Sequence, residues 1–413
     1  MLGIVFLLVN LHRLSTAVLS GELTVDFSIT AAQLGTLHAS FFVIYAIVQI
    51  PTGVLVDRYG PRYVGASGAF VLSAGAIGFT LSGGYLGAFL LRAIIGLGSG
   101  VIFVSLLRFA ANWYRTDEFA MMTGLTAGIG GLGAILATTP LAISVEWFGW
   151  RPTVLALGIV GFVSGGLIFA FVRRSPAAAG LEPIDDVPEQ PSVTFAETAE
   201  HLKRLAVDPD QWLLSIIFFS AMGTVLTIIG LWGVPYLVVV YDLSVTTASY
   251  YMLFGSIGML VGSPAIGWVS DRVGHRILPL IVGLGVFVFV LLIVPVFGAP
   301  PLAAIAVAYF VVGASVGTAM LALSIIKEKY PAGASGVATA TVNGAGFFGG
   351  TILPAAMGVV LDRYRTGDVV AGTTVYTEFG YRVAFGITAL AVTVAVISAI
   401  ALYVRTRRRA IDD

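Results

Sequence analysis

The sequence predicts an all-α membrane protein of twelve transmembrane helices, arranged as two pseudo-symmetric six-helix bundles. Three observations predict it: too little polarity to cover a water-soluble globule, twelve apolar runs of spanning length, and motifs that recur between the two halves at nearly one offset. Of the 413 residues, 58% are hydrophobic and only 11% charged, with a mean hydropathy of +0.97. Such a chain must be dissolved in lipid.

A span needs about 20 apolar residues. Such runs lie at roughly 2–22, 32–56, 63–82, 85–108, 119–142 and 150–172, then at 212–240, 246–270, 277–297, 301–326, 334–360 and 380–404. The predicted organisation is an N-terminal bundle (1–173), a linker (174–211), a C-terminal bundle (212–405) and a tail (406–413). Pro176, Pro183, Pro188 and Pro191 and the acidic cluster Glu182, Asp185, Asp186 and Glu189 fall in the linker, whose stretch from Thr194 to Val207 reads as a short amphipathic surface helix. The first apolar run begins at Leu2 with no Lys or Arg before it, which argues against a signal peptide. A span that begins almost at Met1 leads to the expectation of either a short cytoplasmic tail ahead of it or a different start. The fifty glycines fit helices that pack backbone to backbone, because lipid supplies little hydrophobic force between them.

Orientation follows from the basic residues. With both termini cytoplasmic, sixteen Lys and Arg fall on the inner side and only Arg151, Arg363, Arg365 and Arg382 on the outer side. The sequence therefore describes an integral protein of the cell membrane with both ends inside. Zero net charge and the lack of a basic tract away from helix ends give no sign of nucleic-acid binding. The absence of cysteine excludes disulfides, thiolate catalysis and thiolate metal sites, and no HExxH, phosphate loop or acidic dyad occurs in the spans. The reading is of no enzyme, no cofactor and no metal.

After the second span the chain reads GVLVDRYGPR, and after the eighth GWVSDRVGHR, so that Gly53, Asp57, Arg58, Gly60 and Arg62 recur as Gly267, Asp271, Arg272, Gly274 and Arg276 at an offset of 214. Gly128, Gly130 and Gly133 recur as Gly344, Gly346 and Gly349 at 216. Two nearly equal offsets at separate places mean a duplicated six-helix unit, as in carriers built from two halves around a central site. Gly53 and Gly267 would let neighbouring helices touch. Asp57 and Asp271 would meet helix N-termini or basic residues across the interface between halves, as latches on the inner side.

The twice-carried GxLxDRxGxR loop resembles the signature loop of the major facilitator superfamily. That resemblance covers the chain apart from its linker and implies a monomeric carrier that works by alternating access.

Ionisable groups within spans are costly and mark candidate function. Span one holds Asn10, His12, Arg13, Ser15 and Thr16 near its middle, with Asn10 and Arg13 along one helical face. Arg92 lies within span four, and no Asp or Glu lies near mid-membrane. Two guanidinium groups without a carboxylate predict a positive cavity that takes an anionic solute. Arg92 also admits a packing role through backbone carbonyls. His38 and Tyr45 in span two are candidates for the cavity wall, and Trp232, Tyr236, Tyr309 and above all Asn343 for the second half.

HRLSTAV from His12 and LRAIIGLGSG from Leu91 resemble the first and fourth helices of the anion:cation symporter branch, which includes organic-anion and sugar-acid carriers. Arg13 and Arg92 match that branch. His12 and Ser99 stand where the resemblance would place the carboxylates of proton coupling, so coupling to a proton or another ion is left open, with His12 as a titrating candidate. A proton-driven drug exporter is a rival, but no Gly-Pro pair occurs in span five. A nitrate or nitrite carrier is another, but it would be expected to carry an arginine inside spans two and eight, and neither span has one.

Overall fold

The computed structural model of the chain describes residues 1–182, 184, 195–370 and 373–412. Asp185, Asp186 and Glu189 of the acidic cluster lie outside the described residues. Among those residues ten helices are long and apolar enough to cross a membrane, or twelve when two bent pairs each count as one span. The first bundle comprises α1 (Leu2–Leu14 with Thr16–Phe27), α2 and α3 (31–59 and 61–81 of the helix Ala31–Leu81), α4 (Tyr85–Trp113), α5 (Thr116–Leu136 with Thr139–Phe148) and α6 (Trp150–Phe171). The second comprises α7 (Pro209–Tyr241), α8 (Val245–Val273), α9 (Ile277–Phe297), α10 (Leu302–Lys329), α11 (Ala332–Asp362) and α12 (Glu378–Asp412). The linker carries the amphipathic helix Phe195–Ala206.

Each break has a local cause. α1 bends by 56° at Ser15, whose hydroxyl donates to the His12 carbonyl of its own helix, a back-bond that bends helices. α5 bends by 43° just before Pro140, which lacks the amide its turn would need and crowds the carbonyl four residues back. The chain turns from α2 into α3 at Gly60, with φ of 83° ahead of Pro61, a conformation open mainly to glycine. α7 holds a π-helical turn, Ile228–Trp232, just before Pro235.

The seam between bundles is closed at one face and open at the other. Away from the basic end, Gly35 of α2 lies so close to α11 that a methyl group there would sit 2.7 Å from the Pro354 carbonyl oxygen. The Asp362 carboxylate at the end of α11 accepts from the amides of Ala31 and Ala32 at 2.9 Å each. On the opposite seam Ser256 of α8 donates to the Ala134 carbonyl of α5 at 3.3 Å, Ser249 donates to Thr139, and Thr246 donates to Glu146 at 2.6 Å. Toward the arginine-rich end the picture reverses: among the described residues no atom of another element approaches within 4 Å of where a side chain would begin at Gly124 and Gly128 of α5 or at Gly336 and Gly344 of α11.

Sequence patterning does not pick out the two short strands between α11 and α12. β1 (Arg365–Val370) and β2 (Thr373–Tyr376) pair antiparallel, with Arg365 opposite Tyr376 and Val370 opposite Thr373. The hairpin lies on the closed face, and Tyr376 is buried there.

Candidate functional site

The bend in α1 sets the polar stretch of that span at the point where the seam changes from closed to open. Arg13 donates through Nη2 to the Asn10 side-chain oxygen at 2.5 Å, and the Asn10 amide donates to the Phe6 carbonyl at 2.9 Å. Both ends of Asn10 are thus engaged in orienting the arginine. Arg13 is half-buried, its Nε is buried without a partner, and no carboxylate forms an ion pair with it among the described residues. A guanidinium in that setting is a strong, geometrically selective anion receptor.

Tyr45 of α2 stands beside Arg13 and close to Gln49, one turn along its own helix. Its ring meets Phe347 of α11 with centroids 4.5 Å apart and stacks on Phe41 at 5.8 Å. Phe42 in turn stacks on Phe347 at 6.3 Å. These rings form a roof across the seam, drawn from both bundles. Asn343 lies one turn from Phe347 toward the open end and is half-buried, without a side-chain hydrogen bond among the described residues.

The other arginine is placed differently. Arg92 is 2% exposed and donates to the His12 carbonyl at 2.8 Å and to the Thr16 hydroxyl at 2.5 Å. Its guanidinium also lies over the Phe41 ring at 5.6 Å. It therefore ties α4 to the bend in α1 and to α2. His12 is buried with Nε2 unpartnered. His38 is fully buried, 4.9 Å from the Phe42 ring between centroids and against Gly230 of the π-helical turn, and its ring faces the Leu226 carbonyl without hydrogen-bond geometry. Trp232 is buried within the second bundle, where its indole donates to the Pro354 carbonyl at 3.0 Å. Tyr236 donates to the Gly298 carbonyl at 2.6 Å and Tyr309 to the Gly233 carbonyl at 2.9 Å.

The repeated loops lie at the open, basic end. Asp57 forms an ion pair with Arg108 of α4, and its carbonyl accepts from Arg174 at 2.9 Å. Arg62 donates to the Phe169 carbonyl at 2.7 Å, and Arg58 lies over Tyr59 at 5.4 Å. In the second copy Asp271 pairs with Arg276, which also reaches Glu328 at 3.2 Å; the hydrogen bond to Asp271 holds the Arg276 guanidinium above its ordinary pKa. Arg272 lies over Trp268 at 4.1 Å, and Gly274 closes α8 with φ of 69°. Two expectations are corrected for this conformation. Among the described residues the pairs of Asp57 and Asp271 stay within their own bundles, and no other element comes within 4 Å of where a side chain would begin at Gly53 or Gly267; both follow from the seam being parted at this end.

Gln49 and Phe347 were missed from sequence. Each lies one helical turn from a candidate, Tyr45 and Asn343 respectively, and that spacing was the available signal.

Twelve spans in two bundles, with each bent pair counted as one span, are the architecture of a polytopic membrane protein. A family model described as Major Facilitator Superfamily matches residues 1–354. The chain belongs to that superfamily. It is 26% identical over 256 residues to the hexuronate transporter of Bacillus subtilis (strain 168), covering 60% of this chain and 58% of that protein. Over 349 residues it is 26% identical to the probable nitrate/nitrite transporter NarK2 of Mycobacterium tuberculosis, covering 82% of both chains. Among solved structures, a bacterial homolog of the human lysosomal transporter Spinster, in an inward-facing and unoccupied conformation, superposes with a TM-score of 0.77 at 15% identity, covering 97% of this chain and 95% of that one. The hexuronate match spans less than two thirds of that transporter's length.

Proposed function

We propose that this protein carries a small organic anion, a carboxylate or sugar acid, across the cell membrane by alternating access. The bundles at 1–173 and 212–405, joined by the linker at 174–211, rock about a central site. The basic end and both termini are cytoplasmic, so the conformation described is inward-open and sealed outside. The observation that carries the reading is Arg13: a half-buried guanidinium without a carboxylate partner, held by Asn10 at the boundary between the sealed and open parts of the seam. An anion entering there neutralises a charge that the protein leaves uncompensated. Arg92 shapes the site indirectly by fixing the bend in α1.

The coupling ion is open between a proton and another ion, because His12 and Ser99 stand where carboxylates would serve. An inorganic anion carrier is the second reading, favoured by the length of the match to the nitrate/nitrite transporter. Counterflow in liposomes decides between them, with labelled organic acids and nitrate tested at two pH values. Arg13→Ala is expected to abolish exchange of the anion while inserting normally. Parental exchange by reconstituted Arg13→Ala would falsify the assignment.

A further inference from the structure

We infer that the anion is a planar aromatic monocarboxylate, gripped by Arg13 and stacked under the Tyr45 and Phe347 rings. This rests on the anion reading of Arg13 and narrows its substrate class. The charge count comes first. Arg92 is spent on the His12 carbonyl and the Thr16 hydroxyl, so of the two arginines within the spans Arg13 is the one left to meet a solute. One guanidinium matches one carboxylate, and a second negative charge on the solute would stay unpaired in a partly desolvated site.

The wall beside that charge is built of rings. Tyr45 and Phe347 meet at 4.5 Å, backed by Phe41 and Phe42. On the α1 side Phe6, two turns from Arg13, stacks on Phe103 at 5.3 Å. Hydrogen-bonding groups are sparse by comparison. Asn10 is occupied at both ends. Thr126, Thr341 and Thr351 donate into their own helices, to Met122, Val337 and Phe347 respectively. The Tyr45 hydroxyl, Gln49 and Asn343 remain, with the unpartnered Thr339 hydroxyl one turn further along α11. A sugar acid brings a hydroxyl on nearly every carbon, and each one stripped of water needs a partner. A flat ring needs none, and it gains from offset or edge packing with other rings.

The two roof rings also come from opposite bundles. A ring bound beneath both rewards the conformation in which Tyr45 and Phe347 meet, which links occupancy to the sealed outer seam.

The test uses the full chain reconstituted in liposomes, with benzoate, glucuronate and nitrate as probes for counterflow and for thermal shift. Benzoate is expected to exchange fastest and to bind at least about tenfold more tightly than glucuronate. Phe347→Leu keeps an apolar side chain without the ring, so it guards against a folding failure in Phe347→Ala; either variant should weaken benzoate by about 3- to 10-fold. Nitrate, with no ring to stack, should lose less affinity than benzoate in both variants. Preference for glucuronate or nitrate that still depends on Arg13 overturns the aromatic inference and leaves the anion reading intact. Binding of all three that is indifferent to Arg13→Ala overturns both.

Discussion

Asp362 caps Ala31 across the seam: the last residue of α11 accepts, through its two carboxylate oxygens, the amides of Ala31 and Ala32 that open α2, at 2.9 Å each. Those amides have no partner within their own helix, and the helix N-terminus favours a negative charge. Unlike the ion pairs at the basic end, this cap joins the two bundles, so it should hold the outer seal. Asp362→Asn keeps the shape and removes the charge, and is expected to shift the population toward outward-open by about 1–2 kcal/mol, or about 5- to 30-fold. The chain has no cysteine, so spin labels at Val25→Cys and Phe379→Cys, both exposed near the closed face, report on the seal directly. A distance distribution unchanged by Asp362→Asn would show that the cap is incidental.

Arg13 and Arg92 are expected to fail in different ways. Removing Arg92 leaves the His12 carbonyl with the Ser15 hydroxyl alone and takes the charged donor from the Thr16 hydroxyl in a buried setting, and hydrogen bonds to charged groups contribute about 1.5–3 kcal/mol each. Arg92→Ala should therefore lower the thermal unfolding midpoint of detergent-purified protein by several degrees. Arg13→Ala should leave the midpoint near the parent's and abolish the upward shift that an anion produces. If Arg92→Ala is as stable as the parent and loses only the anion-induced shift, Arg92 belongs to the binding site itself.

That contrast shows where sequence reading stopped. Spanning runs, the duplicated loops and the placement of basic residues all follow from local composition or repetition, and the twelve-helix architecture was legible from them. In sequence Arg13 sits in a polar stretch and Arg92 admits a packing role, but both remain candidates for the solute. What separates them is the contact each makes in the fold: Arg92 reaches from α4 to the His12 carbonyl and the Thr16 hydroxyl of α1, and no pattern within α4 says that it does. The roof of Tyr45 and Phe347 was hidden for the same reason: the rings lie 302 positions apart, and no pattern within either helix says that they meet. The closure state of the seam is not a property of composition at all.

Asp208, ahead of α7, gives a pH dependence. Burial alone would push its carboxyl pKa up, but hydrogen bonds from Lys329 and Tyr330, together with the Asp210 amide and the Lys329 charge, outweigh burial and hold it below the ordinary carboxylate range. A pKa lower in the folded chain than in the unfolded one contributes stability that is present above the unfolded value, about 3.9, and lost as pH falls through the folded value. The parent should therefore lose midpoint temperature below about pH 4 more steeply than Asp208→Asn, whose curve should be flatter over that window and lower above it. Parallel curves for the two proteins would show that Asp208 carries no such linkage.

Asp57 should govern how fast the carrier turns over more than how tightly it binds. In the conformation described, its carboxylate pairs with Arg108 and its carbonyl holds Arg174, all on the first bundle's side of the seam. Among the described residues no other element approaches Gly53 one turn away. Closing the basic end brings α2 toward α11, and a carboxylate at that edge can then exchange its partner for one across the seam, whereas an alanine cannot. The solute site proposed at Arg13 lies about three turns of α2 away, next to Tyr45, and does not touch this pair. A charge-assisted hydrogen bond made only in the inward-closed form stabilises that form by about 1.5–3 kcal/mol, and without it the form is harder to reach by the same amount. Asp57→Ala is accordingly expected to slow exchange about 10- to 100-fold while changing the equilibrium dissociation constant of the anion less than about threefold. Parallel measurement of counterflow velocity and of equilibrium binding in detergent separates the two effects. A variant that exchanges at the parental rate would mean that the ion pair to Arg108 only fastens α2 to α4, and that the latch lies elsewhere on the inner face.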